Sequence, residues 1–297
     1  MEKKNKVNKA LIVIIILLII ILCVLVGYVM VNDVMKINNK DSKDKNDINN
    51  SKYNIVYKND DVISIEDKLE LDKIIGTQGL DGLLILLDKD NLNELSNREI
   101  ISYVYWEYIF DAKNIKDEIS QEEVKNAFDK SALSDLSYED GDMYYLTSYK
   151  DDVIMKYDAD SKKYITPDIY ASLSNETAGE TMIAYTYNID SYVKDNKYVI
   201  KNKYLFVNLF NLGGGTKTST YVYGNYKNAK NDIENGEVNA TNYVHKFDVN
   251  FIDFKEMEPY ALKNYDSIKD KLDTYTYTFE KKDGHFVLTD FNVDHSK

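Results

Sequence analysis

Asp88, Asp90, Ser96 and Glu99 occupy positions 1, 3, 9 and 12 of a twelve-residue window, with Leu95 at position 8. With that spacing a calcium loop gathers hard oxygen ligands around one dication. The window departs from the pattern at two places. Position 5 is Leu92, which has no side-chain oxygen, and position 6 is Asn93, where the sharp turn calls for glycine. A second window, Asp111 to Glu123, runs to thirteen residues and holds Lys113 and Lys116, whose ammonium groups repel a dication. Asp158 and Asp160 open a third, which has Ile169 where its last carboxylate belongs. Gly213-Gly214-Gly215-Thr216-Lys217-Thr218 offers amides to a phosphate, but Thr216 interrupts the required Gly-Lys-Ser/Thr. The sequence therefore predicts helix caps at Ser96 and Ser120, a hairpin loop after Asp158 and a turn at the glycines. It predicts neither a metal nor a cofactor.

Proton transfer would fall to His245, His285 and His295, the three histidines. His245 and His285 sit on predicted strands or turns and could meet across a sheet. With a nearby carboxylate they would hold a metal, or one would serve as a general base. His295 is expected to fray with the last residues. The chain contains no Gly-x-Ser-x-Gly and no His-Glu-x-x-His, and its one cysteine, Cys23, lies in an apolar run. Carboxylate pairs for hydrolysis are not singled out by spacing among 50 Asp and Glu. Trp106, the single tryptophan, falls beside an apolar helical stripe, where it would pack at a core edge or anchor a partner.

The elements that must position these groups follow from periodicity. From about 66 to 132 the pattern is helical, clearest over Asn97 to Ala112, where Ile100, Ile101, Val104, Tyr105, Tyr108 and Ile109 recur at helical spacing. Ser96 with Glu99 reads as a capping box and Leu95 with Ile100 as a hydrophobic staple; Ser120, Glu123, Ile119 and Val124 repeat the device. From about 142 to 294 the period becomes two. Strands are expected over Met143–Thr147, Asp152–Tyr157, Lys163–Thr166, Thr181–Asn188 and Lys197–Leu209, with a turn at Asp195-Asn196. Tyr243, Phe247, Val249 and Phe251 mark a long strand, and a short helix is expected over Tyr260–Leu272. Tyr275, Tyr277 and Phe279 lead through Asp283-Gly284 to Phe286 and Leu288, the strongest hairpin signal in the chain. Helices first and strands afterwards give an α+β class with a mainly antiparallel sheet.

The compartment follows from the opposite end of the chain. Residues 10 to 31 carry no charge and are mostly Ile, Leu and Val. A helix of that length reaches about 33 Å, enough for the hydrocarbon core of a bilayer. Lysines before it (Lys3, Lys4, Lys6, Lys9) are matched by those after it (Lys36, Lys40, Lys43, Lys45), so their count does not orient it. A short basic leader packed against the span places the N-terminus inside. Leu22, before Cys23, lacks the small side chain of a lipoprotein site. The expected plan is a cytoplasmic leader (1–9), a transmembrane helix (10–31), a disordered tether (32–52) and an extracytoplasmic α+β domain (53–297). Without cysteines that domain has no disulfides, and the whole chain's net charge of −13 sets it against nucleic acid and anionic lipid. Arg98 is the sole arginine among 37 basic residues, a bias of AT-rich bacterial coding that carries no chemistry.

This layout resembles a group of uncharacterised, N-terminally membrane-anchored extracytoplasmic proteins of low-GC Gram-positive bacteria. The likeness rests on the lysine-flanked anchor, the polar tether, the capped Leu95-Ser96-x-x-Glu99-Ile100 helix and the closing Tyr-x-Tyr-x-Phe, Asp-Gly, Phe-x-Leu hairpin. The group has no known activity to lend. A curved sheet wrapped on a helix, as in cystatin-like or NTF2-like folds, is the shape expected by analogy. The function expected is a membrane-anchored binding or assembly module of the cell envelope, partnered by the membrane and an envelope or wall component. The alternative is an envelope hydrolase using carboxylates or histidines.

Overall fold

In the computed structural model the described residues are 62–76, 79–111, 113–146, 152–167, 180–209, 219–248 and 254–296. The chain divides into two units, Met1–Val56 and Tyr57–Lys297, and every described residue belongs to the second. The expected leader (1–9), membrane helix (10–31) with Cys23, tether (32–52) and glycine triplet lie outside the described residues. Among the described residues no helix is long and apolar enough to cross a membrane. The second unit is α+β, with antiparallel sheets and a few helices.

The helical part opens with α1 (Ile65–Ile75) and the short α2 (Leu80–Leu84). α3 (Asn97–Val104) begins at the capping box read from the sequence. Ser96 Oγ accepts from the Glu99 N–H at 3.3 Å, and Glu99 Oε2 accepts from the Ser96 N–H at 2.8 Å. The second cap is half of that device. Ser120 Oγ accepts from the Glu123 N–H at 3.1 Å to open α4 (Gln121–Phe128), while the Glu123 carboxylate turns away to Lys116.

Two features depart from the expected helices. Glu118–Ser120 forms a strand, β1, inside the stretch read as helical. α3 stops short of Ala112: over Tyr105–Ile109 it widens into a π turn, in which the Phe110 N–H donates to the Tyr105 carbonyl at 2.8 Å.

β1 joins β2 (Met143–Tyr144), β3 (Val153–Asp158) and β4 (Lys163–Ile165) in a small antiparallel sheet of order β1-β4-β3-β2. The large sheet is built on a hairpin of β5 (Glu180–Lys194) and β6 (Lys197–Leu209). Its turn residues Asp195 (φ 52) and Asn196 (φ 62) are both left-handed, as a type I′ turn requires. On the other side of β6, β9 (Thr274–Lys282) pairs with Lys197–Lys203 and β7 (Thr220–Tyr223) with Phe206–Asn208. β10 (His285–Asp294) continues beyond β9 and β8 (His245–Phe247) beyond β7. The long strand expected over Tyr243–Phe251 is reduced, among the described residues, to β8; Val249 and Phe251 lie outside them. Two helices stand among the strands: α5 (Tyr226–Asn235), which periodicity missed, and α6 (Phe254–Ile268), which starts ahead of Tyr260.

Period-two alternation along β6 divides the apolar side chains. Tyr204 and Phe206 enter the main core with residues of α1, α2 and α3, whereas Leu205 and Val207 meet Met257 and Ala261 of α6. α3 serves two cores at once. Ile100, Tyr103 and Val104 pack into the main core; Ile101 and Tyr105 pack with Ile119, Val124, Met143, Met155 and Tyr164 of the small-sheet core. Every residue from Ile100 to Tyr105 is buried, including Ser102, whose Oγ accepts from the Tyr144 N–H at 2.8 Å. Burial on all sides makes α3 an interior helix.

Ser96→Ala and Ser120→Ala should each lower unfolding free energy by about 1 kcal/mol through loss of an N-cap bond. Gly284→Val should cost at least as much, because φ is 87 there and a β-branched residue resists that region. Chemical denaturation checks all three, and unchanged midpoints would contradict the assigned caps and turn.

Candidate functional site

The carboxylates of the calcium-like window do not converge. Asp88 pairs with Lys230 at 3.0 Å, Glu99 with Lys89 at 2.9 Å, and Asp90 faces His295 Nε2 at 3.2 Å. Among the described residues no three His, Cys, Asp or Glu side chains are grouped to hold a metal ion. At Asp158 the carboxylate accepts from the Asp160 N–H at 3.1 Å and the Ser161 hydroxyl at 2.7 Å, closing the β3–β4 hairpin.

The histidines are not brought together. His245 lies in β8, in the register of Val222 and Val207; His285 lies at the β9–β10 turn, past the register of Lys197. Ten residues of β6 separate those registers, roughly 30 Å along the strand. His245 and His285, which the sequence allowed to meet across the sheet without requiring it, do not: both lie beyond the same side of β6, but at its two ends. His245 stacks on Tyr260 at 4.4 Å and meets the edge of Phe247, and burial lowers its pKa.

His295 is not frayed. Its Nδ1 lies 2.9 Å from Asp273 Oδ2 and its Nε2 faces Asp90, while Asp273 Oδ1 accepts from the Ser296 N–H at 2.7 Å. The Asp273 hydrogen bond, helped by Asp90, raises the His295 pKa. With both ring nitrogens occupied this is an electrostatic latch on the last described residues.

A different place gathers aromatic chemistry. Gly79, Gly82, Leu83 and Leu86 from α2 and its flanks face Tyr103, Trp106, Glu107 and Phe110 from α3 and its π turn. Tyr145 and Leu146, after β2, complete a cleft of about 440 Å³. The volume lies within the range of small-molecule pockets, and the lining is mainly apolar although the cleft is open on one side. The Trp106 ring lies 4.7 Å from Phe110 and 5.4 Å from Tyr145, at 63° and 40° to them. π turns arise where a helix takes one residue more per turn, at a cost in hydrogen-bond geometry, and they recur at functional sites. Here the turn carries Trp106 and Glu107 to the cleft. Partial burial raises the Glu107 pKa against a weaker attraction from Lys73. Two other hollows are less suited. In one, Asp140 is already engaged by the Tyr164 hydroxyl at 2.5 Å and by Gln121; the other is the shallow surface beside His245 and Tyr260.

One wall of the cleft is fixed from inside. Asp81, on α2 between Gly79 and Gly82, is buried in the main core, where its Oδ1 accepts from the hydroxyls of Tyr277 at 2.5 Å and Tyr204 at 2.9 Å. Asn202 Nδ2 in turn donates to the Tyr204 hydroxyl at 3.0 Å. Burial, opposed by the two tyrosine bonds, pushes the Asp81 carboxyl up to about 7. Sequence spacing could not reveal this group, whose partners lie 123 and 196 residues away. Trp106 was singled out by its type alone; its opposite wall comes from segments without a motif.

Comparison of the chain with protein-family models, curated proteins and solved structures returns no match.

A carboxyl that holds its proton more tightly folded than unfolded contributes stability at low pH and loses it as pH rises through its folded pKa. For Asp81 the window runs from the ordinary carboxylate value of 3.8 up to about 7. Between pH 5 and pH 8 the wild type should lose on the order of 2 kcal/mol that Asp81→Asn does not lose. Denaturation at both pH values measures this; equal losses in the two proteins would contradict a buried, proton-holding Asp81.

Proposed function

We propose that the protein is a binding or assembly module of the cell envelope, anchored in the cell membrane by its N-terminal segment with the domain extracytoplasmic, and with ligand taken up in the Trp106 cleft. The cleft carries the proposal: it concentrates Trp106, Tyr145 and Phe110 on a π turn beside a wall without side chains at Gly79 and Gly82. Anchoring is supported by the uncharged run from 10 to 31 and by the resemblance to anchored proteins of low-GC Gram-positive bacteria. The acidic balance of −13 favours a protein, wall or small-molecule partner over nucleic acid. A curved, cystatin-like or NTF2-like sheet is part of the same proposal. The register shifts at Ile183/Tyr185, Asn188/Asp190 and Leu288/Asp290 support it, since bulges bend and twist strands. Hydrolysis by a His245–His285 pair has no geometric support.

Protease added to intact, wall-stripped cells should degrade the domain and leave a short membrane fragment; survival of the domain until lysis would contradict the orientation. The cleft is tested by emission from Trp106, the only tryptophan in the chain. Fractionated envelope material should shift that emission saturably in the full chain held in lipid nanodiscs, and Tyr145→Ala should weaken the response about tenfold, as loss of a well-packed aromatic contact does. No response to any fraction would overturn the binding role.

A further inference from the structure

The charge at the cleft says which ligand it would take. Among the described residues Glu107 is the one carboxylate or amine in the lining, and it makes no hydrogen bond or ion pair with any of them. Lys73 attracts it through space without forming an ion pair. The other polar groups nearby are largely spent. The Trp106 Nε1–H points to the Tyr144 carbonyl at 3.4 Å, and the Tyr103 hydroxyl is engaged with Tyr108. An anion would meet Glu107 unfavourably, and a neutral sugar would find few donors and acceptors. Glu107 is exposed at the edge of the cleft, and a wholly apolar ligand would take water from its carboxylate without supplying a counter-charge.

We propose that the Trp106 cleft selects an organic ammonium ion, a quaternary or primary ammonium on a short apolar stem, with Glu107 as its counter-charge. This rests on the binding role assigned to the cleft. Indole is the best side-chain partner for a cation, whose charge is drawn to the negative ring face. Phe110 and Tyr145 are tilted 63° and 40° from the Trp106 plane, so neither ring lies flat against the indole. Leu83, Leu86 and Leu146 supply the apolar surface for methyl groups or a stem. The volume of about 440 Å³ admits a small ammonium compound whole. The chain's net charge of −13 raises the local concentration of cations around it.

The test uses the full chain in lipid nanodiscs at constant ionic strength, with Trp106 emission as readout. Choline chloride is titrated against 3,3-dimethylbutan-1-ol, which has the same shape without the charge. Choline should give a saturable change at a concentration at least tenfold lower than the alcohol. Glu107→Gln should weaken choline severalfold, leaving the smaller preference that the indole face supplies, and leave the alcohol unchanged, while Glu107→Asp should keep most of the preference for the cation. The wild-type preference should also fade as acid protonates Glu107, at a pH above its ordinary 4.5. Equal affinity of the wild type for both probes, or a cation preference undiminished in Glu107→Gln, would overturn the ammonium proposal while leaving the cleft as a binding site. Silence with both probes overturns the ammonium proposal too, and only silence with envelope fractions as well removes the binding role.

Discussion

The Asp81 carboxyl group, sealed inside the main core, sets the terms for the surrounding structure. Asp81 can stay there because Tyr277 and Tyr204 turn their hydroxyls to it, and because its proton is held up to about neutral pH. Burying an unpaired polar group costs several kcal/mol, so those bonds decide where α2 can lie. α2 is only five residues long and could not persist by helix propensity. Its place comes from the burial of Leu80, Leu83 and Leu84 and from the two bonds to the sheet. The residues around Asp81 then form one wall of the aromatic cleft.

The opposite wall depends on α3 being shared. Its two buried faces join the cores of the large and small sheets, so the helix cannot rotate to suit either one alone. The π turn lies at the end of this doubly packed segment, where the chain leaves the core and carries Trp106 and Glu107 outward. Ions fasten the periphery: Asp88 with Lys230, Glu99 with Lys89, and His295 between Asp90 and Asp273. Most such pairs are partly exposed and contribute little individually. Their structural consequence is to occupy the carboxylates that sequence spacing made resemble calcium ligands.

Features governed by neighbours in sequence were legible. The caps at Ser96 and Ser120 and the left-handed turns at Asp195-Asn196 and Asp283-Gly284 need only adjacent residues, and each appears where its local chemistry predicts. The closing hairpin was readable because Tyr275, Tyr277 and Phe279 alternate inward on a sheet with one face in the main core. Features set by distant partners were not. β1 has the form of a helix entry and becomes a strand because β4 lies beside it. α5 has a polar sequence with few apolar anchors and is held by the buried Asp232, which receives the Tyr223 hydroxyl. His295 looked like loose chain end until Asp273 was placed next to it. The cleft belongs to this second group: its lining comes from three stretches with no common motif, and the π turn that aims Trp106 has no signature in residue type.

The claim on which the cleft rests is that the Asp81–tyrosine bonds hold α2 against the sheet. Hydrogen exchange of the full chain with Tyr277→Phe tests it most directly, because that change removes one donor to Asp81 while preserving the ring. Exchange should quicken over residues 80–86 and leave the β9–β10 hairpin as protected as in the wild type. Unchanged exchange over 80–86, or an equal loss of protection throughout the domain, would contradict the claim.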